Sequence, residues 1–351
     1  MVFNTKKNFL IQSKKFSAAE ILNQVQRFTE EIDYFRNMKT NQPTYKSLSL
    51  VLVLLFSLSL LQCKTKTETT VASSSPKLQL SLAQWSIHQA LENGTLKAED
   101  FASIAKNDFG INAVEYVNSF YKDHATDKEF WQNMRSKADD LGVKSLLIMV
   151  DAEGDLGNPN AEERKQAVEN HFKWVDAASI LGCHSIRINA FGEGSKEEVK
   201  AAMVDALTQL CTYAKSKNIN VLIENHGLYS SDGKWVAEIM KQVNMPNCGT
   251  LPDFGNWCLT AKWGSTQDGT CESAYDFYQG VNDMLPFAKG ASAKSYAFNE
   301  EGNEEFIDYQ KMLEIVKQSG FDGYIGIEYE GSQLSEQEGI LATKRLLEKL
   351  W

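Results

Sequence analysis

From residue 77 onward, short apolar runs rich in Val and Ile recur at intervals of about 30 to 40 residues. They occupy 78–83, 113–117, 145–150, 185–190, 220–223, 249–252, 290–293 and 324–327. Longer amphipathic stretches lie between them, among them 161–181, 196–216 and 308–318. Such an interval holds one strand, one helix and their loops, and strands that alternate with helices pair in parallel. Eight units in about 275 residues predict a single-domain α/β fold, a (β/α)8 TIM barrel over 77–351, for which about 250 residues suffice. A doubly wound open sheet is the alternative. It is disfavoured because no GxGxxG follows the first run and no Walker sequence occurs.

The first 76 residues read differently. Residues 48–61 (LSLVLVLLFSLSLL) are all apolar or Ser, too short for the roughly 20 residues of a membrane-spanning helix but suited to the apolar core of a signal peptide. Lys39 and Lys46 precede this run, and Leu60-Leu61-Gln62-Cys63 follows it. A Leu three residues before a Cys resembles a bacterial lipobox, although Gln62 stands where a small residue is usual. The expected organisation is an upstream over-extension of the reading frame (1–37), a signal peptide from Met38 (38–62) and a flexible linker (63–76) after a lipidated Cys63. That places the protein in the bacterial cell envelope, facing the periplasm or exterior, with the lipid as its only membrane contact.

Charge narrows the partners. The chain carries 36 Lys and Arg against 46 Asp and Glu, a net charge of −10. The excess acid lies in the barrel region, which repels phosphate backbones and excludes nucleic acid as a plausible partner. Homo-oligomerisation is left open. No CxxC pair supports a thiolate zinc site. Cys258 and Cys271 flank a polar loop and could pair, or could remain buried thiols.

In a (β/α)8 barrel the active site collects at the C-terminal ends of the strands. There the chain places Trp85 and His88 (strand 1), Glu115 (strand 2), Arg187 and Asn189 (strand 4), and Glu224 and His226 (strand 5). Asp253, Asn256 and Trp257 follow strand 6, Lys294 and Tyr296 belong to strand 7, and Glu328 and Glu330 to strand 8. Carboxylates in apolar strands are costly unless paired or bound to a cation. Glu224, Asp253 and Glu328 therefore predict either one divalent ion, Mg²⁺ or Mn²⁺ by their hard oxygens, or salt bridges to Arg187 and Lys294. His226, two residues beyond Glu224, shares its strand face; as a ligand it would turn preference toward Mn²⁺, Co²⁺ or Zn²⁺. Trp85, Trp257 and Trp263 stand near the same mouth, where large aromatics either pack or present a face to a ligand.

The segments Ile223-Glu224-Asn225-His226-Gly227, Leu251-Pro252-Asp253-Phe254-Gly255-Asn256 and Ile327-Glu328-Tyr329-Glu330-Gly331, in this order, make residues 77–351 resemble the xylose isomerase-like TIM barrels, a family of sugar phosphate isomerases/epimerases. In its ketose 3-epimerase branch, one metal is held by Glu, Asp, His and Glu from strands 5 to 8, and the two glutamates exchange the substrate proton. The resemblance assigns Glu224, Asp253 and Glu328 to metal, and Glu224 and Glu328 to catalysis. Two positions depart from the pattern. Ser292-Ala293-Lys294 stands where relatives read His-x-Lys, and Asn256 replaces a histidine; His226 could substitute as ligand. Lys294 either stabilises an oxyanion or pairs with an acid. The expected activity is metal-dependent isomerisation or epimerisation of an unphosphorylated sugar or keto-sugar through an enediolate. Two alternatives are a 3-keto-glycoside lyase or hydratase and a non-catalytic sugar-binding lipoprotein. Trp85, His88, Glu115, Arg187, Asn189, Asn256, Trp257, Tyr296 and Glu330 are the expected substrate contacts.

Overall fold

Each predicted run becomes a strand, because a parallel strand covered on both faces needs a nearly unbroken apolar stretch. The computed structural model describes residues 77–351 apart from Asp268. Its strands are β1 (Leu80–Ala83), β2 (Ala113–Val117), β3 (Lys144–Met149), β4 (Ser185–Asn189), β5 (Asn220–Glu224), β6 (Cys248–Leu251), β7 (Ala291–Ser295) and β8 (Ile325–Tyr329). Helices alternate with them: α1 (Phe101–Phe109), α2 (Lys128–Asp140), α3 (Ala161–Leu181), α4 (Lys196–Lys215), α5 (Gly233–Val243), α6 (Phe277–Met284), α7 (Tyr309–Gln318) and α8 (Glu336–Leu350).

The strands pair in parallel in the order β6-β5-β4-β3-β2-β1-β8-β7. The two outer members also meet. Thr250 bridges to Ala288 and Asp253 to Ser292, both in parallel. Ser292 N–H donates to Pro252 O at 2.9 Å, and Phe254 N–H donates to Ser292 O at 3.0 Å. The sheet thus curls into a ring, as a TIM barrel does and an open doubly wound sheet does not.

Local chemistry sets the helix ends. Ser195 and Ser335 cap α4 and α8 in reciprocal boxes with Glu198 and Glu338, satisfying amides that a helix start leaves unpaired. Strand alternation then sorts side chains into two cores. Val221 and Ile223 of β5 pack outward under the helices. Leu222 turns inward and fills the barrel with Ala83, Val117, Leu147, Met149 and Leu251. Toward the C-terminal ends this apolar plug gives way to buried charge.

Cys258 and Cys271 form a disulfide, and Cys183, Cys211 and Cys248 are free among the described residues. No described helix is long and apolar enough to cross a membrane. The over-extension, the signal peptide, lipidated Cys63 and the linker lie outside the described residues.

Candidate active site

The C-terminal ends of β5, β6 and β8 bring Glu224, Asp253 and Glu328 together, with ligand atoms all within 4.8 Å of one another. Their placement follows from the backbone. Glu224 is the last residue of β5. The side chain of Asn225, turned into the gap beside β6, accepts from Asp253 N–H at 2.7 Å and donates to Asp253 O at 3.0 Å. Asp253 Oδ1 in turn accepts from the N–H groups of Gly255 and Asn256, both at 2.8 Å. Asn256 Nδ2 lies 3.4 Å from Glu224 Oε1.

The salt bridges that the sequence offered as one reading are present, and the three carboxylates still lie as close together as the other reading, a divalent ion, requires. Arg187 Nε stands 2.7 Å from Glu224 Oε2, an ion pair without hydrogen-bond angles, and its Nη1 donates to Asp151 at 2.6 Å. Lys294, 2% exposed, places Nζ 3.2 Å from Glu328 Oε2 and 2.8 Å from Glu330 Oε2. Ser292, in the position of the family histidine, sets its hydroxyl 2.5 Å from Asp253 Oδ2 and 2.8 Å from Glu328 Oε2.

Burial dominates the titration of these groups. It pushes Asp253 up to about 7 against the pull of Lys294, with Glu328 adding to the rise. It also raises Glu224 well above the usual carboxylate range, against Arg187 and with help from Glu328 and Asp253. Burial opposes the Lys294 ammonium, yet Glu328, Glu330 and Asp253 outweigh it and hold the charge. His226 is pressed down to about 3 by burial and by Arg187, so its ring is neutral.

The donors fit a hard cation. Carboxylates and the Ser292 hydroxyl offer oxygen only, the preference of Mg²⁺ and Mn²⁺. Arg187 and Lys294 face Asp151, Glu224, Asp253, Glu328 and Glu330, so a fully ionised mouth holds more negative than positive charge. Protons or a cation must balance it.

A cavity of about 760 Å³ opens over the cluster, walled by Trp85, Arg187, His226, Lys294, Tyr296, Glu328 and Glu330 among the predicted residues. Trp85 Nε1 donates to Glu330 Oε1 at 2.7 Å. Several predicted residues stand apart from the carboxylates. His226 is outside the carboxylate cluster, because β5 stops at Glu224 and strand alternation ceases there. Its Nδ1 lies 2.7 Å from Asn189 Oδ1 instead. Asn189 donates to Asp151 at 2.6 Å and lines a small neighbouring cavity. His88 stacks behind Trp85 with ring centroids 4.5 Å apart. Trp257 is core: Gly280 on α6 leaves room for its ring, and a Cβ there would lie 2.2 Å from it.

Glu115 sits inside the barrel, against β8 at Gly326, where a Cβ would come within 2.7 Å of its carboxylate. Ser81 Oγ donates to Glu115 Oε1 at 2.6 Å, and Oε2 has no hydrogen-bond partner. Burial pushes this carboxyl up from 4.5 to about 7. A folded-state value above the unfolded one stabilises the protein fully below about pH 4.5, and that stability is lost as the pH rises to about 7. The difference is on the order of 3 kcal/mol. Melting temperatures of chelator-treated protein should therefore fall from pH 5 to 7; Asp253 and Glu224, raised by the same burial, add to the slope, and Glu115→Gln should remove only the share that belongs to Glu115. An unchanged slope in that variant would place the titration elsewhere.

Sequence reasoning missed Asp151, Ser265, Gln267 and Phe306, which also line the cavity. Asp151 follows the apolar run of β3 directly, so inspecting that strand end would have found it. The other three come from loops whose position depends on tertiary folding.

A model of the xylose isomerase-like TIM barrel matches residues 104–350. An inosose isomerase from Halalkalibacterium halodurans is 22% identical over 283 residues, covering 72% of this chain and 90% of that protein. Among solved structures, a xylose isomerase domain protein from Planctomyces limnophilus shares 17% identity at a TM-score of 0.57, over 78% of this chain and 97% of the other. A 3-keto-D-glucoside 4-epimerase from E. coli shares 12% identity at a TM-score of 0.56, over 78% and 100%. At these identities the structural likeness speaks for the fold.

Proposed function

The chain belongs to the xylose isomerase-like TIM barrel family, and from that premise we propose that its barrel mouth moves a proton at a carbon next to the carbonyl of an unphosphorylated sugar or keto-sugar. The observation that carries this reading is the convergence of Glu224, Asp253 and Glu328 within 4.8 Å at three strand ends. Those three residues, with Ser292 beside them, would hold one divalent ion, Mn²⁺ or Mg²⁺ by their oxygen donors, which supplies Lewis acidity toward the carbonyl.

The remaining chemistry belongs to side chains. Glu328 lines the cavity and acts as the base, taking the proton from carbon and returning it. Lys294 lies beside Glu328 and stabilises the negative charge that develops on the enediolate oxygen. Trp85 and Glu330, tied to each other and to Lys294, orient substrate hydroxyls. Return by Glu328 to the neighbouring carbon on the same face gives isomerisation; epimerisation needs a proton delivered to the opposite face, for which Glu224 is the second acid. The charge balance favours an uncharged substrate, since both cations lining the cavity, Arg187 and Lys294, are already paired. The names of the relatives, an inosose isomerase and a 3-keto-D-glucoside epimerase, agree with a ring sugar bearing a carbonyl.

Elimination from a 3-keto-glycoside is the second reading. It shares the first proton removal and differs in expelling a group from the neighbouring carbon. Ser292 in place of the family histidine favours it, because the site departs from the epimerase pattern there.

Incubation of Mg²⁺-loaded protein with free sugars and keto-glycosides in deuterated water tests both. Deuterium should enter the carbon beside the carbonyl, and NMR of the products separates exchange from elimination. Asp253→Asn keeps an acceptor for the Gly255 and Asn256 amides but removes a charge from the cluster. Metal affinity should fall by at least about tenfold, and exchange with it. A metal-loaded protein that binds sugars and exchanges none would be a binder and not an enzyme.

A further inference from the structure

Two large apolar side chains are notably exposed among the described residues: Trp263 at 46% and Phe306 at 49%. Both line the same cavity. Isolated surface apolar residues need no explanation, but these two share the rim of one cleft and stand on loops built to hold them.

Trp263 lies in the loop closed by the Cys258–Cys271 disulfide. Its φ is +73°, a left-handed conformation that a bulky side chain adopts only when its surroundings impose it. The surroundings are specific. Lys262 bridges to Gly227, which has no space for a side chain: a Cβ there would meet Ala261 O at 2.4 Å. The indole packs edge-on against Phe191 at 5.4 Å and His226 at 5.1 Å, and Lys262 Nζ stands 5.6 Å from it.

Phe306 is set by a different device. The buried Glu304 carboxylate gathers the N–H groups of Tyr296 at 3.1 Å, Phe306 at 2.7 Å, and Ala297 and Ile307. The Phe306 ring stands edge-on to Tyr296 at 6.4 Å. Strain at one loop and a carboxylate knot in the other fix the backbones of two side chains that fill no core.

Size supplies a further observation. A volume of about 760 Å³ equals the liquid share of about 25 waters, and a single six-carbon ring fills less than half of it. We propose that Trp263 and Phe306 form an outer subsite for a second ring, sugar or aromatic, joined to the reacting sugar, so that the substrate is a glycoside and not a free monosaccharide. Flat ring faces stack on exposed aromatics by dispersion and C–H contacts, leaving the first sugar over the carboxylates. The inference rests on the reading of Glu224, Asp253 and Glu328 as the reacting end.

Isothermal titration of Mg²⁺-loaded protein with glucose, methyl β-glucoside, phenyl β-glucoside and cellobiose tests it. The two-ring probes should bind at least about tenfold more tightly than the one-ring probes. Trp263→Ala and Phe306→Ala should each reduce that preference by threefold or more, and Trp263→Phe should keep part of it. Phenyl β-glucoside favoured over cellobiose indicates an aromatic second ring, and the reverse a sugar. Equal affinities, absent binding of the two-ring probes, or a preference that survives both alanine variants overturns the subsite. The catalytic reading is judged separately: ring preference without proton exchange defeats that reading, and exchange without ring preference defeats the subsite alone.

Discussion

Replacing Glu328 with Gln should lower the rate of proton exchange at the substrate carbon by about 10²–10⁴-fold, the usual contribution of a general base, in a protein that still folds. The side chain is buried and faces the cavity. Its Oε2 receives the Ser292 hydroxyl at 2.8 Å and stands 3.2 Å from Lys294 Nζ. A Gln amide of the same shape can turn its oxygen to both partners, and removing one charge relieves repulsion from Asp253 and Glu224. The fold therefore loses little while the basic oxygen disappears. Glu224→Gln is the informative contrast. Glu224 faces Arg187 at 2.7 Å and does not line the cavity, so its loss should weaken the fold and metal binding more than the proton step. Because Glu328 is also one of the three residues that would hold the ion, single-turnover exchange, bound Mg²⁺ and melting temperature, measured on both variants, decide the assignment together. Wild-type exchange in Glu328→Gln with loss in Glu224→Gln would reverse the roles.

Lys294→Met should cost about 3–5 kcal/mol, the usual penalty for removing one partner of a buried ion pair. For a domain of this size that lowers the melting temperature by roughly 10 °C. The ammonium is engaged by Glu328 and Glu330 at once, and Met leaves both carboxylates facing an apolar chain. The pH dependence gives the cause away. Burial pushes Glu330 up, but Lys294 and the Trp85 N–H outweigh it and hold the carboxyl at about 2. A depressed folded-state value contributes stability above the unfolded pKa of about 4.5, lost as the pH falls toward 2. Without Lys294 the Trp85 N–H is left as the main counterweight to burial, the value moves upward, and the variant regains stability as the pH falls. The gap between wild type and variant should narrow from pH 7.5 to pH 4.5. A constant gap would mean that Met disturbs packing and not charge. Turnover per folded molecule, taken from the same samples, reports whether the ammonium also serves the enediolate.

The strands were the legible part of this chain. A barrel strand is covered by helices outside and by its fellows inside, so stretches such as 113–117 and 185–190 announce themselves with few polar interruptions, and β2 and β4 fall at Ala113–Val117 and Ser185–Asn189. Carboxylates that break such a run carry a desolvation cost, which is why Glu224, Asp253 and Glu328 stood out. What lay beyond single strands was harder to read. His226 was placed by extending an alternation past the residue where β5 ends, and Trp257 looked like a mouth residue until Gly280 gave it a slot in the core. The pairings of Arg187 and Lys294 were visible only as an alternative to metal. The folded site shows the pairings and still leaves three carboxylates together, because the carboxylates outnumber the cations. Phe306 and Gln267 carried no local signal, since a loop's direction is decided by what its two ends pack against.

The Cys258–Cys271 bond gives the molecule a division of labour. Cys258, at one end of its ring, is buried, whereas Trp263, Ser265 and Gln267 within the ring line the cavity. Exchanges of those cavity-lining side chains are made between two covalently joined posts, in a segment that belongs to none of the eight strands. What the mouth accepts can thus change through the ring's cavity-lining side chains, while the carboxylates beneath stay where their strand ends put them.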